Sequence, residues 1–253
     1  MRRAPLECHT IETLPLVHPG DDLPALLARA IRSTGLTLAA YDIVAVCQKV
    51  VSKAEGRIVD LANVTPSAFA TRIAESTGKD ARIVEVILRE STRIVKMTSG
   101  HLICETGPGW ICANAGVDES NAERPDSLTL LPHDADASAE ALRARLSADA
   151  GGAPIGVVVT DTFGRPWRDG LLDVALGVAG IGAVLDYRGA TDLGGRELHH
   201  TVIAQADAIA AAAGLLMVKG AGIPAVVLRG VSWERTTGRG RDLIRPAALD
   251  LFR

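Results

Sequence analysis

Val157-Val158-Val159-Thr160-Asp161-Thr162-Phe163-Gly164-Arg165-Pro166-Trp167 is the stretch from which the fold is read outward. Its run of β-branched residues is expected to form a buried strand over 155–160, and Gly164-Arg165-Pro166 an irregular loop after it. The strand ends on a carboxylate. Ala113-Asn114-Ala115-Gly116-Val117-Asp118-Glu119-Ser120-Asn121 repeats the pattern, an apolar run delivering Asp118 into turn-forming sequence. A carboxylate at the end of a buried strand loses hydration at a cost of several kcal/mol or more unless a cation or several donors replace the water. Two such groups converging would favour Mg²⁺ or Mn²⁺, hard ions that take oxygen ligands and bridge to phosphates.

Upstream, Gly20-Asp21-Asp22 precedes Leu23, Leu26, Leu27, Ala30 and Ile31 at helical spacing, and 42–47 reads as a second buried strand that delivers Gln48, Lys49, Ser52 and Lys53 beyond its end. Thr65-Pro66 is expected to open a helix that Gly78 closes, and Asp80 to cap another reaching about residue 92. Strands at 93–97, 101–105 and 110–113, separated by Gly100 and Gly107-Pro108-Gly109, suggest antiparallel pairing. Downstream come helices over 136–148 and 207–217, an interior strand at 225–228, and a mobile loop at Thr236-Thr237-Gly238-Arg239-Gly240-Arg241. The elements alternate without a regular βαβ period, so the class is α+β, or mixed α/β.

The chain's 253 residues, 47% of them apolar, suffice for one large domain or two intimate ones, and a net charge of −3 gives no basic field for nucleic acid. Cys8, Cys47, Cys104 and Cys112 form no C-x-x-C pair, which fits a reducing cytoplasm. No apolar run is long enough to span a membrane, and no secretory leader is recognisable.

Standard phosphate-binding glycine fingerprints are missing, so a nucleotide would have to use another scaffold. Lys49, Lys53 and the loop Met217-Val218-Lys219-Gly220-Ala221-Gly222-Ile223 could approach phosphate oxygens; equally, the lysines fit solvated surface charges and the glycines a helix stop. Asp118 likewise fits either a metal ligand or the cap of a turn through Ser120 and Asn121. His199 and His200 would face opposite ways on a strand and are left out of the metal site.

In order, the chain carries Leu14-Pro15-Leu16 and Gly20-Asp21-Asp22-Leu23, then Val51-Ser52-Lys53-Ala54-Glu55-Gly56-Arg57, then Asn114-Ala115-Gly116-Val117-Asp118 with Asn121. Thr160-Asp161-Thr162-Phe163-Gly164-Arg165 and Gly194-Gly195-Arg196-Glu197-Leu198 follow. The series closes with Gly222-Ile223-Pro224-Ala225-Val226-Val227, Arg229-Gly230 and Leu243-Ile244-Arg245-Pro246. Across essentially its whole length this resembles the coenzyme F420:L-glutamate ligase family, also called F420-0:γ-glutamyl ligases.

The resemblance implies a cytoplasmic, GTP-dependent ligase that attaches L-glutamate to the lactyl-phosphate tail of the deazaflavin F420 precursor through an acyl phosphate. It implies Mg²⁺ or Mn²⁺ with K⁺ as helper, and an intertwined homodimer of a two-lobed, mixed-sheet fold. It also implies a stand-alone ligase domain over 1–253, without the nitroreductase-like domain of some relatives. Carried over by resemblance, Asp118 and Asp161 are metal ligands with Thr162 adjoining, and they act in catalysis with Lys53. Leu14, Pro15, Leu16, Gln48, Lys49, Lys53, Asn121 and the loop from Met217 to Ile223 contact the nucleotide. The chain departs from many relatives at Met217-Val218-Lys219, where they read Met-Gly-Gln or Met-Gly-Glu, and at Gly170-Leu171-Leu172-Asp173, where they read Gly-Gln-Thr-Asp. Two other readings of the same residues are a metal-dependent phosphohydrolase and a non-catalytic GTP-binding module.

Overall fold

The structure is a computed structural model that describes residues 5–120, 126–233 and 235–251. The chain runs β1 (Glu7–Ile11), α1 (Leu23–Ser33), β2 (Ile43–Cys47), α2 (Gln48–Ala54), β3 (Ile58–Asp60), α3 (Ala68–Thr77), α4 (Ala81–Arg89), β4 (Ser91–Thr98), β5 (His101–Thr106), β6 (Ile111–Ala113) and β7 (Ser127–Thr129). It continues with α5 (Ala135–Asp149), β8 (Gly156–Arg165), β9 (Arg168–Ala179), β10 (Leu185–Asp186), β11 (Val202–Ile203), α6 (Gln205–Gly214) and β12 (Ala225–Arg229). Helices and strands mix as the α+β reading expects.

The main sheet has five strands in the order β1-β12-β2-β8-β9. Only β2 and β8 are parallel, with Cys47 opposite Thr160; the other pairs are antiparallel. Strand alternation decides which helix each residue meets. Val44, Val46, Val157, Val159 and Val227 pack with Leu27 and Ile31 of α1 and with Leu142 and Leu146 of α5. Their neighbours Ile43, Ala45, Val158, Val226 and Leu228 pack on the other face against Ala206, Ile209, Ala210 and Ala213 of α6. Each buried Val, Leu or Ile contributes about 1.5–3 kcal/mol, so covering both faces holds the sheet rigid.

Parallel strands need a long crossover, and the one between β2 and β8 carries a third core. There α3, α4 and the antiparallel sheet β4-β5-β6 enclose Ile73, Val84, Ile87, Leu102, Cys104, Leu128 and their neighbours. Among the described residues no helix is long and apolar enough to cross a membrane.

Several boundaries differ from expectation, each for a local reason. The cap of α3 is Ser67 rather than Thr65, because the Ser67 hydroxyl is the group that accepts from the Ala70 N–H. The α4 helix stops at Arg89 and a strand starts at Ser91, drawn into pairing with β5. β8 runs on to Arg165 instead of breaking into a loop at Gly164, since β9 supplies a partner through to the hairpin tip. The turn at that tip is taken by Trp167 at φ +58°. α6 ends at Gly214, short of Met217. Finally, the segment 236–241 is packed at its Gly240 end: a Cβ on Gly240 would stand 2.0 Å from the Leu176 carbonyl oxygen, and the Gly240 N–H donates to Asp136 at 2.7 Å. His199 and His200 occupy an exposed bend, not a strand.

Candidate active site

The parallel pair fixes where the site lies. At the carboxyl ends of β2 and β8, Gln48 and Lys49 leave the sheet on α2 while Asp161 and Thr162 continue along β8. Crevices at such strand ends are where open α/β sheets bind ligands. β12 enters the sheet at the same end, its preceding Pro224 carbonyl accepting from the Cys47 N–H at 2.8 Å. The loop from Met217 to Ile223 therefore abuts the β2–α2 junction. Met217 and Ile223 are anchored on the α6 core, whereas Val218, Lys219, Gly220, Ala221 and Gly222 stand exposed. Leu14, Pro15 and Leu16 follow β1 at this end, and the chain then runs beside α2, where the Gly20 N–H donates to the Ala54 carbonyl at 2.9 Å.

Asp118 arrives from the third core. Asn114, Ala115 and Gly116 turn the chain through three successive positive φ angles of 54°, 53° and 74°. Such backbone costs about 1–3 kcal/mol at a non-glycine residue and persists here because Ala115 is buried and Asp118 is bridged to Thr129 by backbone bonds of 2.9 and 2.8 Å. Asp118 Oδ2 accepts from Lys49 Nζ at 2.8 Å, Oδ1 accepts from the Ser120 N–H at 2.7 Å, and Lys49 Nζ also donates to Ser120 Oγ at 2.5 Å. Asp118 is thus both the cap of its turn and a partner of Lys49. Burial opposes its ionisation, but Lys49 and the Ser120 N–H outweigh burial and hold the carboxyl below its ordinary value.

Asp161 has no such partner among the described side chains. Burial, then the nearby charges of Asp118 and Asp173, push its carboxyl up to about 7 against the opposing pull of the Thr162 N–H and Lys49. Asp118 and Asp161 therefore do converge, close enough to feel one another's charge. Thr162 Oγ1 donates to Asp173 Oδ1 at 2.7 Å across the β8–β9 pair.

Polar atoms without partners gather on the same elements. Gln48 Nε2, Asn114 Oδ1 and Thr160 Oγ1 are buried and meet no hydrogen-bond partner among the described residues. Beside Thr160 the pairing slips: Val159 faces Gly177 and Thr160 faces Ala175, leaving Leu176 as a bulge in β9. Bulges re-aim side chains beside functional sites, and this one turns the Ala175 N–H to Asp207 at 2.9 Å. Among the described residues no three His, Cys, Asp or Glu side chains stand together as a ready metal cage. The oxygen donors on Asp118, Asp161, Asn114, Thr160 and Thr162 nevertheless suit a hard cation completed by oxygens from a ligand.

The site thus unites Asp118, Asp161, Thr162, Gln48 and Lys49, flanked by 14–16 and 217–223. Lys53 stands half-buried one helical turn beyond Lys49 and meets no side-chain partner among the described residues. Asn121 lies outside the described residues. Sequence reasoning left Asp173 without a role, because nothing periodic in Arg168-Asp169-Gly170-Leu171-Leu172-Asp173 announces the strand that presents it.

Comparison with known proteins gives the family. The family model described as F420-0:Gamma-glutamyl ligase matches residues 12–230. The coenzyme F420:L-glutamate ligase of Methanothermobacter thermautotrophicus is 44% identical over 247 residues, 96% of this chain and 97% of the relative. That of Methanopyrus kandleri is 46% identical over 251 residues, with 96% and 97% covered. That of Methanocaldococcus jannaschii is 42% identical over 213 residues, 84% of each chain.

Proposed function

The chain belongs to the F420-0:γ-glutamyl ligase family, and from that premise we propose that it joins L-glutamate to the lactyl-phosphate tail of the deazaflavin F420 precursor at the expense of GTP. The observation that carries the site assignment is Asp161, which follows the apolar half of β8 beside Asp118 and Asp173 and has no side-chain partner among the described residues, burial and these charges pushing its carboxyl up to about 7. A carboxylate crowded by like charges is a place that takes up a cation.

In this reading a carboxylate oxygen of the acceptor attacks the γ-phosphorus of GTP, forming the acyl phosphate and releasing GDP. The glutamate amine then attacks the acyl carbon; the C–N bond forms, the C–O bond to phosphate breaks, and the amine proton leaves to solvent. Asp118 and Asp161, with Thr162, would hold Mg²⁺ or Mn²⁺, and such an ion would offset charge on the transferring phosphoryl group. Lys49 and Lys53 approach the phosphates from α2. The segment 14–16 and the loop 217–223 wall the nucleotide, and that loop shields the acyl phosphate from water. Lys219, a cation in that loop, fits phosphate contact rather than metal ligation. K⁺ is assigned as a helper ion by family resemblance alone.

We read the enzyme as a homodimer acting in the cytoplasm. Trp167 and Leu171, 78% and 58% exposed at the β8–β9 hairpin tip, support the first, and four free cysteines the second. The test is incubation with purified precursor, GTP, Mn²⁺ and L-glutamate, with product mass as readout. A gain of one or more glutamyl units is expected. Phosphate release that ignores glutamate would instead mark a phosphohydrolase, and GTP binding without turnover a binding module.

A further inference from the structure

Asp161 and Thr162 are neighbours on β8, and the alternation of a strand sends them to opposite faces of the sheet. Asp161 shares the α1 and α5 face with Val157 and Val159, whereas Thr162 shares the α6 face with Val158. On that second face Asp173 stands directly opposite Thr162 in the β8–β9 register and accepts from Thr162 Oγ1 at 2.7 Å, short enough for a charge-assisted bond. The Asp173 carboxyl also lies against the end of α6: a Cβ on Gly214 would stand 2.7 Å from its Oδ2 and 2.8 Å from its Cγ. Gly214 is the last residue of α6, and the chain runs on from it to the loop 217–223.

Two features set this contact apart from an ordinary cross-strand brace. Asp173 is half-buried, meets no cation among the described residues, and lies close enough to Asp161 for their charges to interact. Holding a second acid there without a cation opposes stability. Gly214, for its part, has no positive φ, so a left-handed helix end does not explain the glycine, whereas room for the Asp173 carboxyl does. A hydroxyl has one proton to donate and two lone pairs. With the proton committed to Asp173, both lone pairs of Thr162 Oγ1 are left to a cation.

We propose that Asp173 is a positioning residue of the metal site, which fixes the Thr162 hydroxyl by accepting its hydrogen bond so that Oγ1 offers its lone pairs to Mg²⁺ or Mn²⁺, with Gly214 keeping the space this carboxyl needs. The inference rests on the metal assignment within the ligase reading above. It gives a role to an acid that the metal and nucleotide assignments leave unused.

The test titrates Mn²⁺ into the full-length chain, alone and with GTP, reading free Mn²⁺ by electron paramagnetic resonance, with melting curves to verify folding. Asp173→Ala is expected to weaken the Mn²⁺ dissociation constant at least about ten-fold. Asp173→Asn, whose amide oxygen can still accept from Thr162, should stay within about three-fold of wild type. Gly214→Ala, which displaces the carboxyl without altering it, should weaken binding several-fold. Combined with Thr162→Val, Asp173→Ala should add nothing to the loss caused by Thr162→Val alone, because one acts through the other. Folded Asp173→Ala that binds Mn²⁺ like wild type overturns the inference, as do losses that simply add in the double variant. Asp173→Asn as weak as Asp173→Ala also overturns it, since charge rather than the hydrogen bond would then be at work. Each of these results leaves the ligase reading intact. Wild-type protein that binds no Mn²⁺, alone or with GTP, instead defeats the metal assignment itself. Should Asp173→Ala fail to fold, Gly214→Ala decides: unchanged Mn²⁺ affinity there overturns the inference.

Discussion

At residue scale the site is governed by one unequal pair of carboxyl groups. Asp118 is held ionised by Lys49, while Asp161 is pushed up to about 7 by burial and by its acidic neighbours. The sign of the stability effect follows: a carboxyl raised in the folded state binds its proton more tightly there than in the unfolded chain, so stability is full below about pH 4 and falls as pH rises towards about 7. In metal-free protein at pH 8, Asp161→Asn should therefore melt higher than wild type by roughly 4–8 °C, about 2 kcal/mol, with the difference vanishing near pH 4 in a pH series of thermal melts. The same variant should lose most ligase activity, and added Mn²⁺ should raise the melting temperature of wild type but not of Asp161→Asn. Lys49→Met removes the partner of Asp118; turnover should drop at least ten-fold, and a Asp118 carboxyl titrating higher by NMR would trace the loss to that ion pair.

At element scale the decisive piece is the left-handed turn Asn114–Gly116, which brings Asp118 to Asp161 on β8. Gly116 lies at φ +74°, and a Cβ there would stand 2.5 Å from Leu131 Cγ, so Gly116→Ala meets both backbone strain and overpacking. A loss of about 2–4 kcal/mol is expected from urea unfolding, with activity falling beyond what the unfolded fraction explains. Such turns also show what sequence can disclose. α1 and β2 are legible because cap, period and β-branching act locally, and Asp118 and Asp161 stand out because a carboxylate ending an apolar run demands a partner. β9 is not legible: its pairing is created by the hairpin that Trp167 turns and by the bulge at Leu176, both consequences of tertiary packing. Asp173 was hidden with it, and the buried glycine contact at Gly240 passed for looseness because a close approach and a flexible loop both favour glycine.

At the scale of the whole molecule, the sheet's two ends have different tasks. Opposite the site, Arg229 donates to buried Asp42 through Nε at 2.9 Å and Nη2 at 2.7 Å, tying β12 to the loop before β2, and Asp42 keeps the guanidinium above its usual range. Arg229→Met would leave Asp42 buried without its cation; a loss of about 3 kcal/mol in urea unfolding is expected, with KM values unchanged in the surviving folded protein. The strand order β1-β12-β2-β8-β9 carries a further implication for biosynthesis. Among the described residues β1 has β12, far later in the chain, as its one sheet neighbour, and β12 also stands between β1 and β2. Because contacts of high sequence separation form late, the third core can consolidate during synthesis while β1 and β2 wait for Ala225–Arg229, and until then the apolar β2, Ile43–Cys47, lies open along the edge that β12 will cover.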